Sequence, residues 1–365
     1  MRSLQIGLIF ETFETYPPRP GDPVDAQVEF EPESTIEALE AAIEALGHRP
    51  IRLGSPSALL HRIASGEVAD LDAAFNLAEG LGGRNREAWA PVLLEMAEIP
   101  MIGSDALSLS MSLDKFWANR WVEAAGVPVA AQQSCASSVE AEGLCLPAPF
   151  PLFVKPRWEG TAKGIRATSR VESREELVRE VSRIVSRYAQ PALVEAFVPG
   201  PEYTITLLGN DPPEALPAVQ RALEVKSGIG LHALEGPDGL SDSGPLEHII
   251  TGVLEPELER QLAELAIRAF DALECRDFAR ADFRLDREGS PIFLEINPLP
   301  TFATDGTFAI LAELEGCSLA EMLGRCVSAG LRRLGLERIE GMEHDCAEDA
   351  SVGDHSGGDP LARGE

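Results

Sequence analysis

The sequence predicts an α/β unit at its start and α+β units beyond it, and three observations carry this. Residues 1 to about 100 alternate apolar strand runs with helix patterns, the mark of parallel βαβ units with right-handed crossovers. The Pro-rich segment Leu146-Pro147-Ala148-Pro149-Phe150-Pro151 is a natural boundary. Further on, two neighbouring apolar runs at 278–285 and 291–297 follow a long helix pattern, giving paired strands with a covering helix. The expected division is an N-terminal doubly wound parallel-sheet unit (1–110), a central unit (111–200), a C-terminal unit (201–340) and a disordered acidic tail (341–365).

The elements follow in order. Residues 4–10 read as a buried strand, and a helix begins near Ser34, with Ser34 as cap and Glu37 completing a capping box. It ends near Gly47. A strand at 50–53, a short helix at 56–65, a strand at 73–77 and a helix at 87–98 complete the first unit. In such sheets ligands gather at the carboxyl ends of strands, which here means Asn76 to Arg86. A helix is expected over 114–126. The central unit reads as a strand (152–155), a loop with Gly160 and Gly164, a helix (about 173–187) and a strand (192–197), like a small α+β nucleotide clamp. Strands near 202–208, 278–285 and 291–297, helices near 255–273 and 318–335, and no internal repeat fill the rest.

Charge narrows the partners. With 31 Lys and Arg against 60 Asp and Glu, the net charge of −29 argues against nucleic acid or an anionic membrane, whose phosphates need a basic surface. Any phosphate site must be built locally. No apolar run is long enough to span a membrane, no signal peptide is visible, and the expected location is the cytoplasm. Six Cys without a Cys-x-x-Cys spacing read as free thiols.

The sharpest chemical signal lies in Ala281-Asp282-Phe283 and Phe293-Leu294-Glu295-Ile296-Asn297-Pro298. As neighbouring strands these bring together Asp282, Glu295 and Asn297, the last two on one face because they are two apart. Three hard oxygen donors without His or Cys suit Mg²⁺. The alternative is an acidic sheet edge. Lys155, at the end of Phe153-Val154-Lys155-Pro156, precedes a loop whose glycines permit close approach to phosphate; an ordinary strand end and turn is the competing reading, and no Walker A pattern is present. Glu195 and Glu202, seven apart, could accept from an adenine amino group and ribose hydroxyls, or stand as solvated acids beside a Pro-Gly turn.

Taken together, these segments, with Leu113-Asp114-Lys115, Gly200-Pro201-Glu202-Tyr203-Thr204 and Leu294 through Pro300, resemble the ATP-grasp superfamily, most closely its D-alanine–D-alanine ligase-like branch, over about residues 4–335. The resemblance implies an ATP-dependent carboxylate–amine ligase that works through an acyl phosphate. It implies that Lys115 and Lys155 hold the ATP phosphates and that the Glu159–Gly164 loop (Glu159, Gly160, Thr161, Gly164) closes over them. Glu195 and the backbone of Val198 would meet adenine, and Glu202 ribose. Asp282, Glu295 and Asn297 would hold two Mg²⁺ ions, with Mn²⁺ as an alternative. Arg280, helped by an N–H near Thr301, would stabilise the oxyanion, and Lys226 would lie near the γ-phosphate. The partners implied are a small-molecule carboxylate and amine, amino acids or related metabolites, and a homodimer is expected from the family alone.

The chain departs from the branch on the substrate side. Glu33 stands in the early acidic region, Asn76-Leu77-Ala78-Glu79-Gly80 stands in for a His-Gly segment, and Thr301 and Gly306 replace residues that meet the second carboxylate; Glu79 with Arg84 or Arg86 then either reads a different first substrate or forms an ordinary charged βα loop. The nucleotide side keeps its expected residues while the substrate side is altered. A non-catalytic ATP-binding protein and a small-molecule kinase are the competing functions on the same fold.

Overall fold

The computed structural model describes residues 2–234, 248–249 (backbone) and 254–337; the acidic tail expected at 341–365 lies outside them. The first sheet contains β1 (Gln5–Ile9), β2 (Arg49–Gly54), β3 (Ala73–Asn76) and β4 (Met101–Ile102), all parallel, in the order β2-β1-β3-β4. Alternation assigns the faces. Ile6, Leu8 and Phe75 meet α1 (Glu33–Ala45), whereas Ile9 and Ala74 meet α2 (Pro56–Ser65) and α3 (Trp89–Met96), so the sheet is covered on both sides. Helix α1 buries Ile36, Leu39, Ala42 and Ile43, a stripe at helical spacing.

One boundary differs from expectation. The cap of α1 is Pro32, in extended conformation (φ −69°, ψ 156°) and without a side-chain cap bond, so Ser34 lies inside the first turn and forms no capping box. Proline's fixed φ suits that position, and the cap lies two residues earlier than the Ser34 pattern suggests.

Helices α4 (Ala106–Leu113) and α5 (Lys115–Ala124) lead to an antiparallel sheet of β5 (Gln132–Cys135), β6 (Leu152–Pro156), β7 (Arg170–Val171) and β8 (Ala192–Ala196), in the order β5-β8-β6-β7. Leu152, Val154, Ala192 and Val194 pack under α6 (Ser138–Gly143) and α7 (Arg174–Tyr188). The alternate residues Phe153, Lys155 and Glu195 face the main cavity.

The third sheet joins β9 (Glu202–Leu208), β10 (Glu214–Ala215), β11 (Val219–Arg221), β14 (Phe278–Leu285) and β15 (Pro291–Asn297), with β10-β9-β14-β15 in order and β11 also on β9. A short ribbon pairs β12 (Leu223–Glu224) with β13 (His248–Ile249), following α8 (Leu231–Leu234). Tyr203, Ile205, Leu207, Ala279, Ala281, Phe283, Phe293 and Ile296 pack under α9 (Pro256–Ala272). Their neighbours in sequence line the opposite face.

The chain closes with α10 (Thr307–Glu315) and α11 (Leu319–Arg333), whose Phe308, Leu311, Met322, Leu323 and Val327 share one core with Ile6, Leu8, Ile36, Leu39 and Phe75 of the first unit. Asp277, fully buried, ties this junction: it accepts from Gly103 N (2.7 Å), Asn210 Nδ2 (3.0 Å) and both Nε and Nη2 of Arg333 (2.8 and 2.7 Å). Among the described residues no helix is long and apolar enough to cross a membrane.

Candidate active site

The main cavity, about 250 Å³, lies between the second and third sheets. Register fixes its floor. Glu202 pairs with both Arg221 and Arg284, Thr204 with Asp282, Asp282 with Glu295, and Arg280 with Asn297, so polar rows run across the sheet on one face. The pairing slips between Asp282 and Phe283, leaving Leu294 as an extra residue, and this bulge lets adjacent Leu294 and Glu295 both face the cavity. Like charges directly opposite each other on a sheet destabilise it, so Asp282 facing Glu295 requires compensating cations.

The structure supplies several. Lys115 Nζ lies 3.2 Å from Glu295 Oε2 and donates to the Glu159 carbonyl, and Lys155 Nζ lies 2.9 Å from Glu195 Oε1. Arg280 Nη2 is 3.6 Å from Asp282 Oδ2, and Thr204 Oγ1 donates to Asp282 Oδ1 at 2.7 Å. Burial opposes ionisation of Glu295, but Lys115 and Lys155 outweigh it and hold its carboxyl down at about 2. Burial raises the Asp282 carboxyl, with Arg280 opposing and Glu295 adding to the rise. Lys155 is raised against the pull of burial by Glu195 and Glu295. Burial pushes Glu202 up to about 7. The two opposed carboxylates thus differ in their readiness to ionise although they share one row.

Two carboxylates and the Asn297 amide, whose Nδ2 reaches Glu295 Oε1 at 3.4 Å, form the oxygen donor set that the sequence singled out. No cluster of three or more His, Cys, Asp or Glu able to hold a metal occurs among the described residues. Such a sparse set fits Mg²⁺, which keeps several positions for water and substrate phosphate, and does not fit an ion needing a full protein cage.

The loop after Lys155 is held from both sides. Asp114, the cap of α5, accepts Arg157 Nε (2.6 Å), Arg157 Nη2 (2.7 Å) and Trp158 Nε1 (3.1 Å). From the first unit, Glu29 accepts Gly160 N (2.7 Å) and Asp25 accepts Gly164 N (2.8 Å). Gly164 has φ +78°, and a Cβ there would sit 2.5 Å from Pro156 Cγ, so both backbone and space demand glycine. Thr161 and Ala162 also have positive φ (46° and 55°).

A second cavity of about 80 Å³ adjoins the first and shares Lys115, Thr161, Arg280 and Thr301 with it. Its other lining includes Glu29, Glu79, Glu87 and Asn297. Beside it Arg86, 2% exposed, binds Glu29 at 2.6 Å and donates to the Trp158 carbonyl, and Lys163 Nζ lies 3.1 Å from Glu29 and 2.8 Å from Glu159. Burial works against Glu29 ionising, yet Arg86 and Lys163 hold it down at about 2. Burial, then Glu87 and Glu29, raise Glu79 well above the ordinary carboxylate range; burial carries Glu87 up to about 7 despite Arg86.

Most sequence-selected residues converge here. Lys115, Lys155, Glu159, Thr161, Glu195, Val198, Glu202, Arg280, Asp282, Glu295 and Thr301 line the main cavity, while Gly160, Asn297 and Glu79 line the second. Four do not. Glu33 is exposed and pairs with Arg52, because the early start of α1 turns it outward. Arg84 is half exposed, over the Trp158 ring and 3.7 Å from Asp114. Lys226 sits exposed on the turn after β12, its N–H bound to Glu224 Oε1. Gly306 caps α10 away from both cavities. In exchange the fold brings in Glu29, Glu87, Lys163, Arg221, Thr204, His232 and Arg284; Thr204 and Arg284 lie two residues from Glu202 and Asp282 on their strands, so strand alternation is a signal that could have found them.

The model of the D-ala D-ala ligase C-terminus matches residues 123–328, more than half of the chain. A D-alanine–D-alanine ligase of Marinobacter nauticus is 31% identical over 288 residues, covering 79% of this chain and 83% of that protein. The chain belongs to the D-alanine–D-alanine ligase family. An uncharacterised protein of Sinorhizobium fredii is also 31% identical, over 81% of this chain and 87% of its own. Among solved structures, a D-alanine–D-alanine ligase from Bacillus anthracis has a TM-score of 0.68 at 20% identity, covering 91% of this chain and 98% of that one, which establishes the ATP-grasp fold. As a D-alanine–D-alanine ligase family member, the chain is an ATP-dependent ligase that forms an amide bond between small molecules.

Proposed function

We propose that this ligase activates a small carboxylic acid, an amino acid or a related metabolite, and joins it to an amine, with the nucleotide in the main cavity and the acid at its border with the second. The observation that carries this reading is the row Thr204–Asp282–Glu295 with Lys115 at its end, an oxygen donor set beside phosphate-seeking cations. Lys115 and Lys155 hold the ATP phosphates under the Glu159–Gly164 loop. Glu195 and the Val198 backbone meet adenine, and Glu202 meets ribose. Asp282, Glu295 and Asn297 hold Mg²⁺, two ions in this reading; when bound, it supplies charge that offsets the phosphate oxygens.

Chemistry follows from charge. A carboxylate oxygen attacks γ-phosphorus, the bond to ADP breaks, and an acyl phosphate forms. The two anions approach only because Lys115, Lys155 and Arg280 surround them. Water would hydrolyse this product, and Glu29 and Asp25 hold the loop shut over it. The amine then attacks the carbonyl carbon, Arg280 and the backbone near Thr301 stabilise the oxyanion, and phosphate departs as the amide forms. Arg280 Nε, buried without a hydrogen-bond partner, is a donor in waiting for that charge.

D-Alanine joined to itself is one substrate pair; the altered second cavity favours another pair at least as well. Arg86 and Lys163 already occupy Glu29, and Glu79 with Glu87 favour the protonated form. The test is phosphate release from Mg-ATP over a panel of amino-acid pairs, with mass spectrometry of products. D-Alanyl-D-alanine from D-alanine alone identifies the first pair, and a different condensation product identifies another. Release without any amide would overturn the ligase reading in favour of a kinase.

A further inference from the structure

A strip of alternating guanidiniums and rings runs outside the cavities, none of its members lining either. Arg84 lies over Trp158 (5.8 Å to the ring centre), and Arg157 meets Trp158 (5.9 Å) and Phe116 (4.9 Å). Arg120 then covers Phe116 (4.5 Å) and Trp117 (5.9 Å). Trp121 follows Trp117 one turn along α5 on the same flank, while Ala118 and Val122 turn inward to the core of the third sheet. Trp117 is 49% and Trp121 56% exposed, and Arg84 and Arg120 are exposed beside them.

Charge on the strip is one-sided. Asp114 accepts from both Nε and Nη2 of Arg157 and lies 3.7 Å from Arg84. Arg120 forms no ion pair among the described residues, not even with Glu123 on the next turn. Cations interleaved with wide apolar faces suit a polyanion with some apolar character. Single-stranded nucleic acid is one such polymer, but it must approach against a net charge of −29. A tethered polyanion escapes that barrier, because its effective concentration is high. The chain carries one: residues 341–365 hold seven Asp and Glu against one Arg, with Met342, Val352, Pro360 and Leu361 among them. The 28 residues after Glu337 span up to roughly 90 Å when extended. A compact chain of this length is about 55 Å across, so the strip is within reach. We propose that the acidic segment 341–365 docks on the strip formed by Arg84, Trp117, Arg120 and Trp121.

The test uses the full chain. In R84K and R120K, a water-soluble carbodiimide should couple the introduced amine to carboxylates of 341–365, read by mass spectrometry of the digested protein. Mixing isotope-labelled with unlabelled chains should show these links within single chains, and about 0.5 M salt should reduce them several-fold. Tryptophan emission gives a second readout. Replacing the seven acids of the segment by Asn and Gln should shift emission to the red and strengthen acrylamide quenching, as Trp117 and Trp121 lose their cover. No link from either position, or emission unmoved by the neutral segment, overturns the proposal. Links only between labelled and unlabelled chains overturn it in favour of a second copy. A single-stranded oligonucleotide that binds the wild type and is lost in R84E and R120E overturns it in favour of nucleic acid.

Discussion

The floor of the main cavity and the wall of the second are both dense in charge, yet they are built in opposite ways. The floor is a set of strand rows in which Asp282, Glu295, Thr204 and Arg280 are placed by alternation and register. The wall is a knot of loops in which Glu29, Arg86, Lys163 and Glu159 meet across as many as 134 residues of sequence. The floor pairs its charges where they line the main cavity, Lys115 with Glu295 and Lys155 with Glu195; the wall ties its charges between loops. Placing charge for chemistry and placing it for closure therefore leave different signatures, and variants should separate them.

The sharpest separation comes from Glu295→Gln. Removing a metal charge from the floor should cut turnover about a thousandfold. Its melting temperature should fall less than that of Glu29→Gln, since part of the stability lost with the Lys115 pairing returns as relief of the charge opposite Asp282. Turnover near wild type would break the comparison at its strongest point. Glu29→Gln should behave conversely: one partner of a buried network is removed, Arg86 and Lys163 are left, and stability should fall by about 3 kcal/mol in thermal melts. Lys155→Met belongs to the floor, and should raise KM for ATP about a hundredfold while the amine KM is unchanged.

pH should resolve the two regions less strongly. Glu29 and Glu295, both held at about 2, give stability that is present above the ordinary carboxylate value of 4.5 and is lost as pH falls from there toward 2. Glu87 and Glu202, both near 7, act in the other sense: the unfolded chain releases these protons above 4.5 while the fold retains them, so stability declines between pH 4.5 and 7. Melting curves across that window should flatten in Glu87→Gln. Smallest of all, Ser34→Ala should change stability by less than about 0.5 kcal/mol, as expected for an exposed residue that caps nothing.

The same contrast explains what could be read from the sequence. Strands β9, β14 and β15 fall at the expected residues because each alternates core and cavity positions, and a period of two is visible in one dimension. Asp282 and Glu295 were legible for that reason. Glu29 was not, because its partners come from distant loops and nothing local marks it. Lys226 was misplaced by two short elements: β11 ends at Arg221, and the turn after β12 carries Lys226 into solvent. Glu33 opens α1 on its exposed side because Pro32, two residues before Ser34, is the cap. The bulge at Leu294 left no sequence signal, although it is what turns Glu295 and Leu294 to the same side.

The shared core of the first sheet and the last two helices has a consequence for how the chain is made. Ile6, Leu8 and Phe75 are synthesised early and share their core with α1, but the rest of that core, Phe308, Leu311, Met322 and Val327, emerges late. During synthesis that side of the sheet waits, only partly covered by α1, for more than two hundred residues. The enzyme's first strands are thus among the last to be secured, and a ribosome that stalls before α11 releases a chain whose opening sheet has an apolar face to offer to a chaperone or to another chain.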